Sequence, residues 1–133
     1  MIPPFDDHGY LPSGVHPAKL EEIDACFGVQ SEIRRTQMES VRWMLDLAHR
    51  AGVRRVVLNG SFVTDIIEPN DVDCVLLIGT GYPKDAKAVA ELEAGLPFLD
   101  IQVVEEPDFR AIVEATFSSD REAVPKGMIE VIP

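Results

Sequence analysis

Residues 53–78, VRRVVLNGSFVTDIIEPNDVDCVLLI, constrain this chain more than any other stretch. The apolar run Val56-Val57-Leu58 reads as a buried strand. Asn59-Gly60-Ser61 then forces a sharp turn, because glycine tolerates backbone angles that other residues avoid. A second strand is expected over residues 72–78, entered through Asp71-Val72-Asp73. Alternation turns Asp71 and Asp73 to the same side, with Cα atoms about 7 Å apart. Two carboxylates facing one way at the mouth of an apolar strand repel each other unless a cation lies between them. Mg²⁺ (or Mn²⁺) takes oxygen ligands of this kind, usually one or two carboxylates plus substrate phosphate.

Gly60 and Ser61 supply the complementary half. A turn that opens a short helix presents free backbone N–H groups, which favour phosphate, and Ser61 adds a hydroxyl donor. Nine residues, 62–70, separate this cradle from the paired acids. The combination suits a nucleoside triphosphate with its metal. Lys84 is the first candidate base for the phosphates, with Lys87, Arg110 and Lys126 as alternatives.

Gly60-Ser61, the nine-residue spacer and Asp71-x-Asp73 followed by Cys74-Val75-Leu76-Leu77 resemble the signature of the polymerase-beta-like nucleotidyltransferase superfamily. The likeness is greatest to its short, minimal bacterial members and spans residues 31–105. That family carries a third acid on a later strand, and Asp100 in Phe98-Leu99-Asp100-Ile101-Gln102-Val103-Val104 matches it. The resemblance implies a nucleotidyltransferase fold of the α/β class (α+β by some schemes). Its small mixed sheet would have about three or four strands flanked by helices. It further implies metal-dependent transfer of a nucleoside monophosphate from a triphosphate, ATP first, to a protein or small-molecule hydroxyl. Asp71, Asp73 and Asp100 would be catalytic and hold the metals, while Gly60, Ser61 and Lys84 would bind the nucleotide. Minimal members often act with a separate small helical protein, as in toxin–antitoxin pairs. One stretch departs from the pattern: short members often place an arginine and a glycine soon after Gly-Ser, whereas this chain has Phe62-Val63-Thr64-Asp65. A catalytically inactive binding module of the same fold, such as an antitoxin or regulatory partner, is the alternative.

Charge narrows the partners. With 12 Lys and Arg against 23 Asp and Glu, the net charge is −11, which argues against bulk nucleic acid and anionic lipid. No apolar run approaches the ~20 residues that span a bilayer, so no membrane role is expected. The start MIPPFDDHGY has acids and prolines where a signal peptide is basic then apolar, so a cytoplasmic protein is expected. Cys26 and Cys74 read as small, reduced core residues.

The remaining chain divides into an extended arm, residues 1–16, and a single domain, residues 17–133. Pro17 is placed to open a helix carrying Leu20, Ile23 and Phe27 on one face and closed by Gly28. Ser31 caps a longer helix with Val41, Met44 and Ala48 at helical spacing, ended by Gly52. Further helices are expected over residues 84–93 and 107–117, a strand over residues 98–104, and a last, edge strand over residues 126–132.

Overall fold

The computed structural model describes residues 2–133, with the backbone alone for Thr116. The chain runs β1 (Gly14–Lys19), α1 (Leu20–Phe27), α2 (Glu32–Ala51), β2 (Arg55–Asn59), a 3-10 turn (Ser61–Val63), β3 (Val72–Leu77), α3 (Ala86–Ala94), β4 (Leu99–Val104), α4 (Asp108–Ala111), a π-helical turn (Ile112–Thr116) and β5 (Gly127–Ile132). The five strands form one mixed sheet in the order β1-β5-β2-β3-β4. β1 lies parallel to β5, β2 antiparallel to both β5 and β3, and β4 parallel to β3. This is a mixed α/β domain with one more strand than the upper sequence expectation.

Strand alternation sorts the apolar side chains to two faces. Val56, Leu58, Val72, Cys74 and Leu76 join Ile23, Phe27, Met44 and Leu92 in a core under α1, α2 and α3. Val57, Val75 and Leu77 meet Phe109, Val113 and Phe117 on the opposite face. β2 and β3 are therefore covered on both sides, which is why they read as unbroken apolar runs rather than alternating ones. Complete burial of a side chain such as Val57 or Val75 stabilises the fold by roughly 1.5–3 kcal/mol. Ser31 caps α2, its hydroxyl accepting from the Arg34 N–H at 3.2 Å, and Gly52 closes it at φ 91°.

Two assignments differ from the sequence expectation. Pro17 lies within β1, opposite Glu130, and α1 starts only at Leu20. β1 is an edge strand, where a missing N–H costs no ladder bond. The expected boundary between arm and domain at residues 16–17 consequently falls inside a strand. The C-terminal strand is internal rather than an edge, because β1 covers its outer side. The arm itself is pinned: the Asp65 N–H donates to Gly9 O at 3.0 Å and the Gly127 N–H to Leu11 O at 2.9 Å. A Cβ on Gly127 would sit 2.1 Å from Pro12 O, so only glycine permits this crossing. Cys74 is buried as expected, whereas Cys26 is exposed. Among the described residues no helix is long and apolar enough to cross a membrane.

Candidate functional site

One end of the sheet gathers the acids. β2 finishes there with Asn59, while β3 and β4 begin there, and the register sets Asn59 opposite Asp73 and Asp73 opposite Asp100. Adjacent strands lie about 4.8 Å apart, so these three residues form a row on one face. Phe98 adopts a left-handed φ of 65° and its carbonyl accepts the Val72 N–H at 2.8 Å. That bond draws the start of β4 against β3 and sets Asp100 level with Asp73. Asp71, two residues before Asp73, is exposed at the rim.

The half-buried Asp73 carries the strain of this arrangement. Burial pushes its carboxyl above the ordinary value, the neighbouring Asp100 carboxylate adds to the rise, Lys126 opposes it and Asp71 adds a smaller push. Gly60 closes the row from the β2 side at φ 85°, and a Cβ there would stand 2.7 Å from Asp73 Oδ2. Glycine is needed twice at this position, for the backbone angle and for the carboxylate beside it.

After Gly60 the chain makes the Ser61–Val63 turn, with the Val63 N–H donating to Gly60 O and the Thr64 N–H to Ser61 O, each at 3.2 Å. Ser61 Oγ has no hydrogen-bond partner among the described residues and lines a cleft of about 570 Å³ with Asn59 and Asp73. Arg34, buried on α2, holds the turn from behind. Its guanidinium donates to Phe27 O at 3.0 Å, Phe62 O at 2.7 Å, Thr64 O at 2.8 Å and, through Nε, to Ile66 O at 3.0 Å. Desolvation lowers the Arg34 pKa, and the Asp65 charge partly restores it. The sequence offers no signal for this role, since an arginine on a helix reads as a solvated charge.

Two expectations need correction or completion. Lys84 is not at the cleft. Its N–H donates to Ala51 O at 2.9 Å and its stem packs over Gly52, at the opposite end of the sheet. The six residues of β3 separate the two ends by roughly 17 Å. Helix α3 follows the far end of β3, so a base placed just before it is carried away from the acids. The bases at the cleft are instead Arg121 and Lys126, and the continuing register of β2 and β5 (Leu58 opposite Ile129) brings Lys126 beside Ser61. Secondly, Asp71, Asp73 and Asp100 lie within electrostatic reach but are not drawn into a closed ligand set. Among the described residues no three His, Cys, Asp or Glu side chains are grouped to hold a metal ion. The donors still suit a hard cation, being carboxylates on adjoining strands, and Asn59 Oδ1 beside them is a buried carbonyl oxygen with no hydrogen-bond partner. Asn59, directly before Gly60-Ser61, was legible in the sequence only as a turn former.

Fold and site together define a mixed α/β domain with a polar cleft at one end of its sheet, lined by Asp73 and Asp120 and by Arg121 and Lys126. The chain belongs to DUF6932, a family of unknown function, whose sequence profile matches residues 3–132. No curated protein and no solved structure matches it at a significant level.

Proposed function

We propose that this domain is a nucleotidyltransferase of the polymerase-beta-like fold, moving a nucleoside monophosphate from a triphosphate, ATP first, to a protein or small-molecule hydroxyl. The observation that carries the reading is the Asp73–Asp100 pair in register beside Gly60, with Ser61 facing the same cleft. Asp71, Asp73 and Asp100 would hold Mg²⁺ or Mn²⁺, which when bound neutralises charge on the phosphate and attacking oxygens. Gly60 lets the Asp73 carboxylate approach the main chain closely, and the Ser61 hydroxyl would donate to a phosphate in the cleft. Asp100, exposed at the rim, is placed to orient the acceptor hydroxyl and take its proton. Burial and the neighbouring Asp100 carboxylate raise the Asp73 pKa, and a cation bound beside them would relieve that repulsion.

A second reading is favoured by the open arrangement of the acids and by the acidic Asp65 that follows the turn. On that reading the fold persists without chemistry, as the binding or regulatory partner of a small helical protein. Calorimetric titration of ATP with Mg²⁺ into the native chain and into an Asp71→Ala, Asp73→Ala double variant separates the two. The first reading expects binding by the native chain and at least about tenfold weaker binding by the variant, a loss of ~1.4 kcal/mol or more. Equal binding by both, or none by either, removes it. Co-purification of a helical partner with a chain that turns over no nucleotide selects the second.

A further inference from the structure

The cleft has a second wall that neither the Gly-Ser turn nor the aspartates explain. Between the π-helical turn and β5 the chain folds back on itself. Ser119 bridges to Pro125, and the Lys126 N–H donates to Ser118 O at 3.0 Å. Asp120 Oδ1 accepts the N–H groups of Glu122 at 2.8 Å and Val124 at 2.9 Å. The arm fixes this loop from outside, Tyr10 Oη donating to Asp120 Oδ2 at 2.7 Å. Tyr10 also bridges to Thr64, so one arm residue ties the loop to the segment that follows the Gly-Ser turn.

The loop brings Arg121 and Lys126 to the cleft that Asn59, Ser61, Asp73 and Asp120 also line. Among the described residues neither cation makes a direct ion pair, and Lys126 lies within electrostatic reach of Asp73 and Asp120. Arg121 is exposed and Lys126 partly buried, and they are the two basic residues that line this cleft in a chain of net charge −11. Asn59 adds an independent sign of a ligand: it is 1% exposed, lines the same cleft, and its Oδ1 lacks the donor that a buried carbonyl needs. A volume of about 570 Å³ is that of a small-molecule site.

The geometry points to Arg121 and Lys126 as the polyphosphate-binding wall of this cleft, with Asn59 Oδ1 accepting a hydrogen bond from a hydroxyl of the same ligand. The ligand class is a phosphorylated molecule with at least two phosphates and a hydroxyl-bearing part. Phosphate oxygens accept from the guanidinium and ammonium groups, and the ligand hydroxyl supplies the donor that an oxyanion cannot. The assignment rests on the nucleotide reading of the cleft for the identity of the whole ligand.

The test uses sodium tripolyphosphate in chelator, and ATP with Mg²⁺, titrated calorimetrically into the full chain, an Arg121→Gln, Lys126→Gln variant and a Lys84→Gln variant. Circular dichroism checks each fold. The native chain is expected to bind both ligands, more weakly as salt rises. The double variant should lose about tenfold or more for each, and Lys84→Gln should match the native chain. Native-like affinity of the double variant, or no tripolyphosphate binding by the native chain, overturns the assignment. ATP binding that needs Asp71 and Asp73 but not Arg121 and Lys126 defeats the wall and leaves the nucleotidyltransferase reading standing. Tripolyphosphate binding that needs Arg121 and Lys126, without binding of any nucleoside triphosphate, keeps the wall and removes that reading.

Discussion

Replacing Arg34 by methionine tests whether the Gly-Ser turn is held from behind. Methionine keeps the stem length and suits a helix, yet it removes every N–H of the guanidinium. The bonds to Phe27 O, Phe62 O and Thr64 O are all buried, so three carbonyls would lose their donor away from water. An orphaned buried acceptor costs about 1–3 kcal/mol, which for three spans ~3–9 kcal/mol. Two effects pull the expectation to the lower half. The turn can rotate some carbonyls toward solvent, and removing the guanidinium relieves the desolvation that lowers its own pKa. The expected loss is therefore about 3–5 kcal/mol. For a chain of 133 residues that corresponds to a fall in Tm of roughly 12–20 °C. Urea and thermal unfolding followed by circular dichroism measure it, and amide exchange over residues 61–66 should quicken more than in the strands. Arg34→Lys, which retains a charge but only one point of attachment, should fall between native and Arg34→Met. If both variants unfold within about 1 kcal/mol of the native chain, the carbonyl clamp is not what holds the turn.

Asp73→Asn makes a pH-dependent prediction whose sign follows from the raised carboxyl. Below the unfolded value of 3.8 the acid is protonated folded or unfolded, and Asp73 imposes no penalty; as pH rises through its higher folded pKa, stability is lost. The variant should thus be more stable than the native chain at pH 7 and indistinguishable near pH 3, and thermal melts in which its advantage does not grow with pH would refute the buried, repelled carboxylate. Gly60→Ala should cost about 1–2 kcal/mol from its left-handed backbone and displace Asp73 Oδ2, so its melt should drop and its Mg²⁺-dependent ATP binding vanish together. Retained ATP binding by a folded Gly60→Ala chain would show that the close approach does not matter.

Much of the local structure was legible because short-range signals decide it. Ser31 and Gly52 bracket α2 as a cap and a left-handed stop, and those groups act on their own helix whatever lies beyond. The runs around Val57 and Val75 are buried strands because both faces are covered, a property that survives in an unbroken apolar sequence. β1 escaped notice for the converse reason. Val15-His16-Pro17-Ala18 has no clean alternation, and it becomes a strand only because β5 offers a parallel partner. Arg34 was invisible as a buried residue, because the carbonyls that satisfy it come from a loop about thirty positions later.

The amino-acid order alone determined that an acid pair follows a glycine turn between two apolar strands, since spacing and alternation are local. Which cation shares that corner was decided in three dimensions. Lys84 is near in sequence but lies beyond a whole strand's length, while Lys126, more than fifty residues after Asp73, is returned to it by the antiparallel pairing of β5 with β2. Chain separation sets neither outcome, because strand pairing is a long-range choice made by burying both faces of the sheet at once.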